Sequence, residues 1–79
     1  MGNLRSIIYL QTRQGNKPKG VRVVLSIDGT FSGGMTKATF TDEEGKAVIE
    51  HSSRGNATIF VNGKDMGRFV CPGEKYLII

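Results

Sequence analysis

Val21-Arg22-Val23-Val24-Leu25-Ser26-Ile27-Asp28, with the chain broken at Gly29, is the stretch that decides the fold class. Val21, Val23, Leu25 and Ile27 fall on every second position, and Arg22, Val24, Ser26 and Asp28 fill the others. Successive side chains of an extended chain point to opposite faces, so the first set lines a core and the other set faces outward. A strand of that kind belongs to an antiparallel sheet with one covered face. The alternation returns at Ala47 and Ile49, and again at Ala57, Ile59 and Val61. Residues 20–61 therefore read as sheet throughout.

The rest of the chain follows the same grammar. Residues 4–11 form a first strand, in which Ile7, Ile8, Tyr9 and Leu10 are apolar without interruption. A run apolar on both faces is covered on both sides, or keeps one face for a partner. Residues 12–20 are a polar loop with turn chemistry at Gly15-Asn16 and Lys17-Pro18, and residues 30–34 are another loop whose large apolar residue is Phe31. A Thr-rich third strand is expected over residues 35–41, with Ala38 and Phe40 facing the core. Asp42-Glu43-Glu44-Gly45 is expected to close a hairpin, Gly45 supplying a positive φ. Residues 47–51 and 56–61 are the next strands, separated by a turn at Ser52-Ser53-Arg54-Gly55. Asn62-Gly63 is the strongest hairpin signal in the chain. A sixth strand is expected over 66–70, a turn at Cys71-Pro72-Gly73, and a last strand over 76–79.

No window of about 11 residues keeps a helical period without a glycine cutting it. About seven short strands at this spacing predict one all-β domain over residues 1–79, a small antiparallel β-sandwich of immunoglobulin-like or prealbumin-like form. The alternative is a small closed β-barrel. A chain of 79 residues has no room for a second domain, and at this size it buries only about 60–65% of its unfolded surface.

Charge and cysteine content narrow the function classes. The net charge is +4 and the three acids Asp42, Glu43 and Glu44 sit together, so the remainder is more basic than the total suggests. Arg13, Lys17, Lys19 and Arg22 lie in one run without an acid. Such a run is either a solvated loop or a patch for phosphate, nucleic acid or an anionic surface. A single cysteine, Cys71, excludes an intramolecular disulfide framework. No apolar run approaches the length of a membrane span, and no signal sequence is visible. With Met1 as the native start, the expected compartment is the cytoplasm.

Three segments carry a resemblance. Lys17-Pro18-Lys19-Gly20-Val21-Arg22-Val23-Val24-Leu25, then Thr41-Asp42-Glu43-Glu44-Gly45-Lys46-Ala47-Val48-Ile49, then Gly55-Asn56-Ala57-Thr58-Ile59-Phe60-Val61, resemble the carboxypeptidase-regulatory-like, transthyretin-like β-sandwiches. The pattern is a Pro before Gly-x-x-Val, a Thr-Asp-x-x-Gly hairpin, and a strand opened by Gly. Ala47 and Ala57 stand where that group has an aromatic ring, which thins the expected core. Residues 57–67 also look like the hairpin of PEGA-type surface domains. The resemblance implies an accessory or adhesive module without an active site of its own.

The candidates for chemistry are few. His51 is the one histidine, and its neighbour Glu50 points to the opposite face of the strand. One His and one Cys make no zinc-ligand set. Asp42, Glu43 and Glu44 are too few, at the wrong spacing, for a calcium loop. No glycine-rich phosphate loop precedes a helix. Met1-Gly2 opens a myristoylation pattern, and Asn56-Ala57-Thr58 is a glycosylation sequon, each meaningful only in the right cellular setting. No catalytic residue, metal ligand or cofactor is expected.

What remains is surface. Val24, Val48 and Phe60 lie off the core face of their strands, and together they would form an apolar patch of the kind that marks an interface. The terminal strand is another candidate, as an edge for a partner's sheet. The expected role is therefore a non-catalytic protein-interaction or structural module, with a protein partner or a second copy of itself. The alternative is a small basic barrel that binds nucleic acid through Arg13, Lys17, Lys19 and Arg22.

Overall fold

The computed structural model describes residues 4–28, 35–52 and 54–79. These form seven strands and no helix: β1 (Leu4–Gln11), β2 (Arg22–Ile27), β3 (Thr39–Phe40), β4 (Lys46–His51), β5 (Gly55–Val61), β6 (Lys64–Cys71) and β7 (Glu74–Ile78). A three-stranded sheet runs β4-β1-β7 and a four-stranded sheet runs β3-β2-β5-β6. The two do not close on each other, so the molecule is a small sandwich and not a barrel. No helix among the described residues is long and apolar enough to cross a membrane. The loop over 30–34, the Met1-Gly2 pattern and Ser53 of the following turn lie outside the described residues.

Alternation places the core as the sequence predicts. Val23, Leu25 and Ile27 of β2 and Ala57, Ile59 and Val61 of β5 meet Ile8 and Leu10 of β1 and Ala47 and Ile49 of β4. The small residues do not leave the core thin. Phe69 lies cross-strand from Ala57, and Phe69, Met66 and Leu77 pack against the cluster from β6 and β7. Met66 and Phe69 are three apart, an odd spacing for one face of a strand. A bulge in the β5–β6 pairing between Thr58 and Phe60 reconciles them, with Gly67 at φ +124° on the bulged strand.

Two sequence expectations fail at the third strand and the turn after it. The ladder shrinks to Thr39–Phe40 because threonine hydroxyls take the place of backbone groups. Leu25 N–H donates to Thr36 Oγ1 at 3.0 Å, and Val21 N–H donates to Thr41 Oγ1, also at 3.0 Å. The Thr41 hydroxyl in turn donates to the Pro18 carbonyl at 2.7 Å. The facing is reversed as well. Thr39 lies opposite Val23 and Phe40 opposite Arg22, so Phe40 points outward, 58% exposed, and Ala38 is exposed too.

Residues 42–45 do make the tight turn, with Gly45 at φ +70°. They do not close a hairpin, because β3 and β4 belong to different sheets. The turn carries the chain across the sandwich. It also needs glycine for space: a Cβ at Gly45 would stand 2.5 Å from the Leu10 carbonyl oxygen. Asn62-Gly63 closes the β5–β6 hairpin as expected, with φ of 52° and 82°, the double left-handed geometry of a type I′ turn. Another crossing at Cys71-Pro72-Gly73 delivers β7 parallel to β1, the exception to an otherwise antiparallel pairing.

Candidate interaction surface

The apolar run of β1 divides between two faces. Ile8 and Leu10 go to the core, while Ile7 and Tyr9 point outward, half-buried. Pairing carries that outer face across the sheet. Ile7 lies opposite Val48 of β4, Tyr9 opposite Tyr76 of β7, and Gln11 opposite Ile78. The Tyr9 and Tyr76 rings stack with centroids 4.3 Å apart and planes 8° from parallel. Tyr76 is 71% exposed, Ile78 67% and Val48 37%. Arg5 and Glu50, cross-strand neighbours, form an exposed ion pair at 3.8 Å on the rim. The arrangement is an apolar centre with a charged rim, the anatomy of a protein-binding patch.

At one end of this face the end of β1, the polar loop and the 42–45 turn enclose a cleft of about 450 Å³. Tyr9, Tyr76 and Ile78 supply its apolar wall, and Gln11, Lys17 and Glu44 its polar groups. Loss of solvation first, and then the Glu74 carboxylate, push the Tyr9 hydroxyl above its ordinary value. Tyr9 therefore keeps its proton throughout the neutral range.

The edge of β7 matters as much as its face. The Gly73 carbonyl accepts from Ile7 N–H at 2.9 Å, and Ile79 N–H donates to the Gln11 carbonyl at 2.8 Å. A parallel ladder engages every other residue, so Lys75 and Leu77 turn their backbone groups to β1. The N–H and C=O groups of Glu74, Tyr76 and Ile78 consequently point to the open side, where no described strand pairs with β7. The other edges are blunted in the usual ways. β3 has two residues, β6 carries the bulge and the charges Lys64, Asp65 and Arg68, and β4 carries Lys46 and Glu50. β7 opens with the charges Glu74 and Lys75, and from Tyr76 to Ile78 it has no charge, proline or bulge.

The residues singled out from the sequence do not form one patch. Val24 and Phe60 are cross-strand partners on the outer face of the four-stranded sheet. Val48 sits in the three-stranded sheet, whose outer face is on the other side of the sandwich. Val24 is also 3% exposed, so it offers little surface. The patch that does exist unites Val48 with Ile7, Tyr9, Tyr76 and Ile78. Strand alternation could nominate each of these, but only the β1–β7 register brings them together.

The basic residues Arg13, Lys17, Lys19 and Arg22 are all exposed, and two of them lie beside acids. Lys19 Nζ lies 3.5 Å from Glu43 Oε1, and Lys17 shares the cleft with Glu44. Arg22 is set apart on the four-stranded sheet, opposite Phe40. The acidic turn, distant in sequence, folds against the basic loop.

His51 is buried and not merely at a strand end. Its Nε2 lies 2.7 Å from Ser6 Oγ, and Ser6 is fully buried. Glu50 points the other way, into solvent, as alternation requires. The Ser6–His51 pair pins the start of β1 to the end of β4 inside the sandwich. Cys71 is buried too; its thiol donates to the Gly55 carbonyl at 3.2 Å, and burial pushes the thiol above its ordinary value. Among the described residues no three His, Cys, Asp or Glu side chains converge as metal ligands do.

No protein-family profile matches the chain, and no curated protein matches it significantly.

Proposed function

We propose that the domain is a non-catalytic protein-interaction or structural module, of the carboxypeptidase-regulatory-like and transthyretin-like kind it resembles, working through β7 and the outer face beside it. The observation that carries this reading is the open β7 edge, uncharged from Tyr76 to Ile78, with Tyr76 and Ile78 exposed at 71% and 67% beside it. Three outward-turned backbone residues offer hydrogen bonds to an extended chain, and the Tyr9–Tyr76 stack offers it an apolar bed. Strand addition works in this way, with main-chain bonds giving affinity and alternate side chains giving selectivity. The non-catalytic reading draws support from the Ser6–His51 contact lying inside the sandwich, with Ser6 fully buried.

Selection of displayed extended peptides against the immobilised domain tests the reading. Peptides with alternating apolar residues should be captured, and Tyr76→Lys should lose them at least tenfold, while Phe60→Ser, on the other sheet, should keep them. Capture that survives Tyr76→Lys, or no capture by either protein, sinks the reading. A nucleic-acid role is weakened by Glu43 and Glu44 lying against the basic loop.

A further inference from the structure

We propose that the occupant of the β7 edge is a second copy of this chain, paired antiparallel about Tyr76 to make one continuous six-stranded sheet. The inference deepens the interaction reading above and rests on it. Its basis is the symmetry of the free backbone groups. Glu74, Tyr76 and Ile78 turn outward, with Lys75 and Leu77 bound to β1. A two-fold axis through the Tyr76–Tyr76 pair sets Glu74 of each copy opposite Ile78 of the other. All three outward residues then meet outward residues, and every one of their N–H and C=O groups is paired across the interface.

Geometry selects the antiparallel arrangement. In a parallel ladder a residue bound across the pair lies opposite one that turns away, as Ile7 and Glu74 do between β1 and β7, so two copies of this edge cannot meet in parallel with each outward residue opposite its own counterpart. Antiparallel, Lys75 faces Leu77, and Glu74 is laid over Ile78 at the cleft that also holds Lys17. The acidic start of one β7 thus meets a basic neighbour at the end of the other. On the outer face the Tyr9–Tyr76 stack of each copy continues into that of the next, so four rings share one row across the joined sheet. This covers Tyr76, the most exposed of the large apolar side chains among the described residues.

The size of the contact sets its strength. An edge of five residues falls short of the roughly 800 Å² per partner of a standard interface, so the dimer is reversible and forms in about the micromolar range. Sedimentation equilibrium on the 79-residue chain, from about 1 µM to about 1 mM, should show the mass rising from 8.6 kDa to twice that value. Ile78→Pro removes an N–H that faces the open edge and leaves the β1 ladder alone; it should weaken dimerisation at least tenfold. Tyr76→Lys should do the same and serves if the proline variant misfolds. Amide exchange gives the register without any substitution. The Tyr76 and Ile78 amides should slow as concentration rises, while those of Lys75 and Leu77 are slow at all concentrations. A monomer at every concentration, or a dimer whose Tyr76 and Ile78 amides exchange unchanged, overturns the proposal. A monomer that still captures extended peptides at β7 overturns the self-pairing alone and leaves the interaction reading standing.

Discussion

Asp42 shows how one side chain organises the crossing between the sheets. Its Oδ1 accepts from Glu44 N–H at 2.8 Å and from Lys46 N–H at 3.0 Å. The Lys46 donor first, and then the Glu44 donor, hold its carboxyl below the ordinary carboxylate value. A carboxylate whose folded-state value is depressed adds stability above its unfolded value, and that contribution disappears as pH falls through the folded value. Thermal unfolding followed between neutral and strongly acidic pH should therefore show a steeper acid-side loss for the parent than for Asp42→Asn. Equal slopes would remove the turn from the account. The Ser6–His51 contact makes a different point at the same scale. Each residue is unremarkable in the sequence, and 45 positions separate them. Their meeting depends on the β1–β4 register, which no local pattern encodes.

Among the elements, the hairpin between β5 and β6 was the most legible. Asn62-Gly63 is a local signal whose geometry needs no tertiary help. Gly63 sits at φ 82°, where a β-branched side chain is strained by roughly 1–2 kcal/mol. Urea unfolding of Gly63→Val should register a loss of about that size, and an unchanged midpoint would mean the turn relaxes freely. β3 was the least legible element. Its composition reads as strand, but Thr36 and Thr41 answer the backbone of the neighbouring chain segment with their hydroxyls. The inward and outward sets at Thr39 and Phe40 follow the pairing with β2, and a shift of one residue in that pairing exchanges them. Periodicity alone cannot choose between two registers when neither face is clearly apolar.

For the whole molecule, size governs. A domain that buries only about 60–65% of its unfolded surface has little stability in reserve. Cys71 reports on that reserve, because it is 1% exposed and its thiol is pushed up by burial. Its reaction with a disulfide reagent should be slow in native buffer and should accelerate with urea in step with unfolding. Labelling at the rate of a free cysteine in native buffer would show that the sandwich opens locally at β6.

By itself the sequence determined the class and most of the parts. Alternating apolar positions and turn residues are local properties of an extended chain, so seven strands, the core residues of β1, β2, β4 and β5, and the Asn62-Gly63 hairpin can all be read from neighbours in the chain. Which strands lie side by side is a different kind of fact. The 42–45 turn has the chemistry of a hairpin, yet the chain crosses to the other sheet there, and Val48 goes with it, away from Val24 and Phe60. Only the tertiary structure placed β7 parallel to β1, stacked Tyr76 on Tyr9 and left the far side of β7 without a described partner strand. Pairing is decided by the burial of both sheets together, a sum over long-range contacts, and no stretch of sequence carries that sum alone.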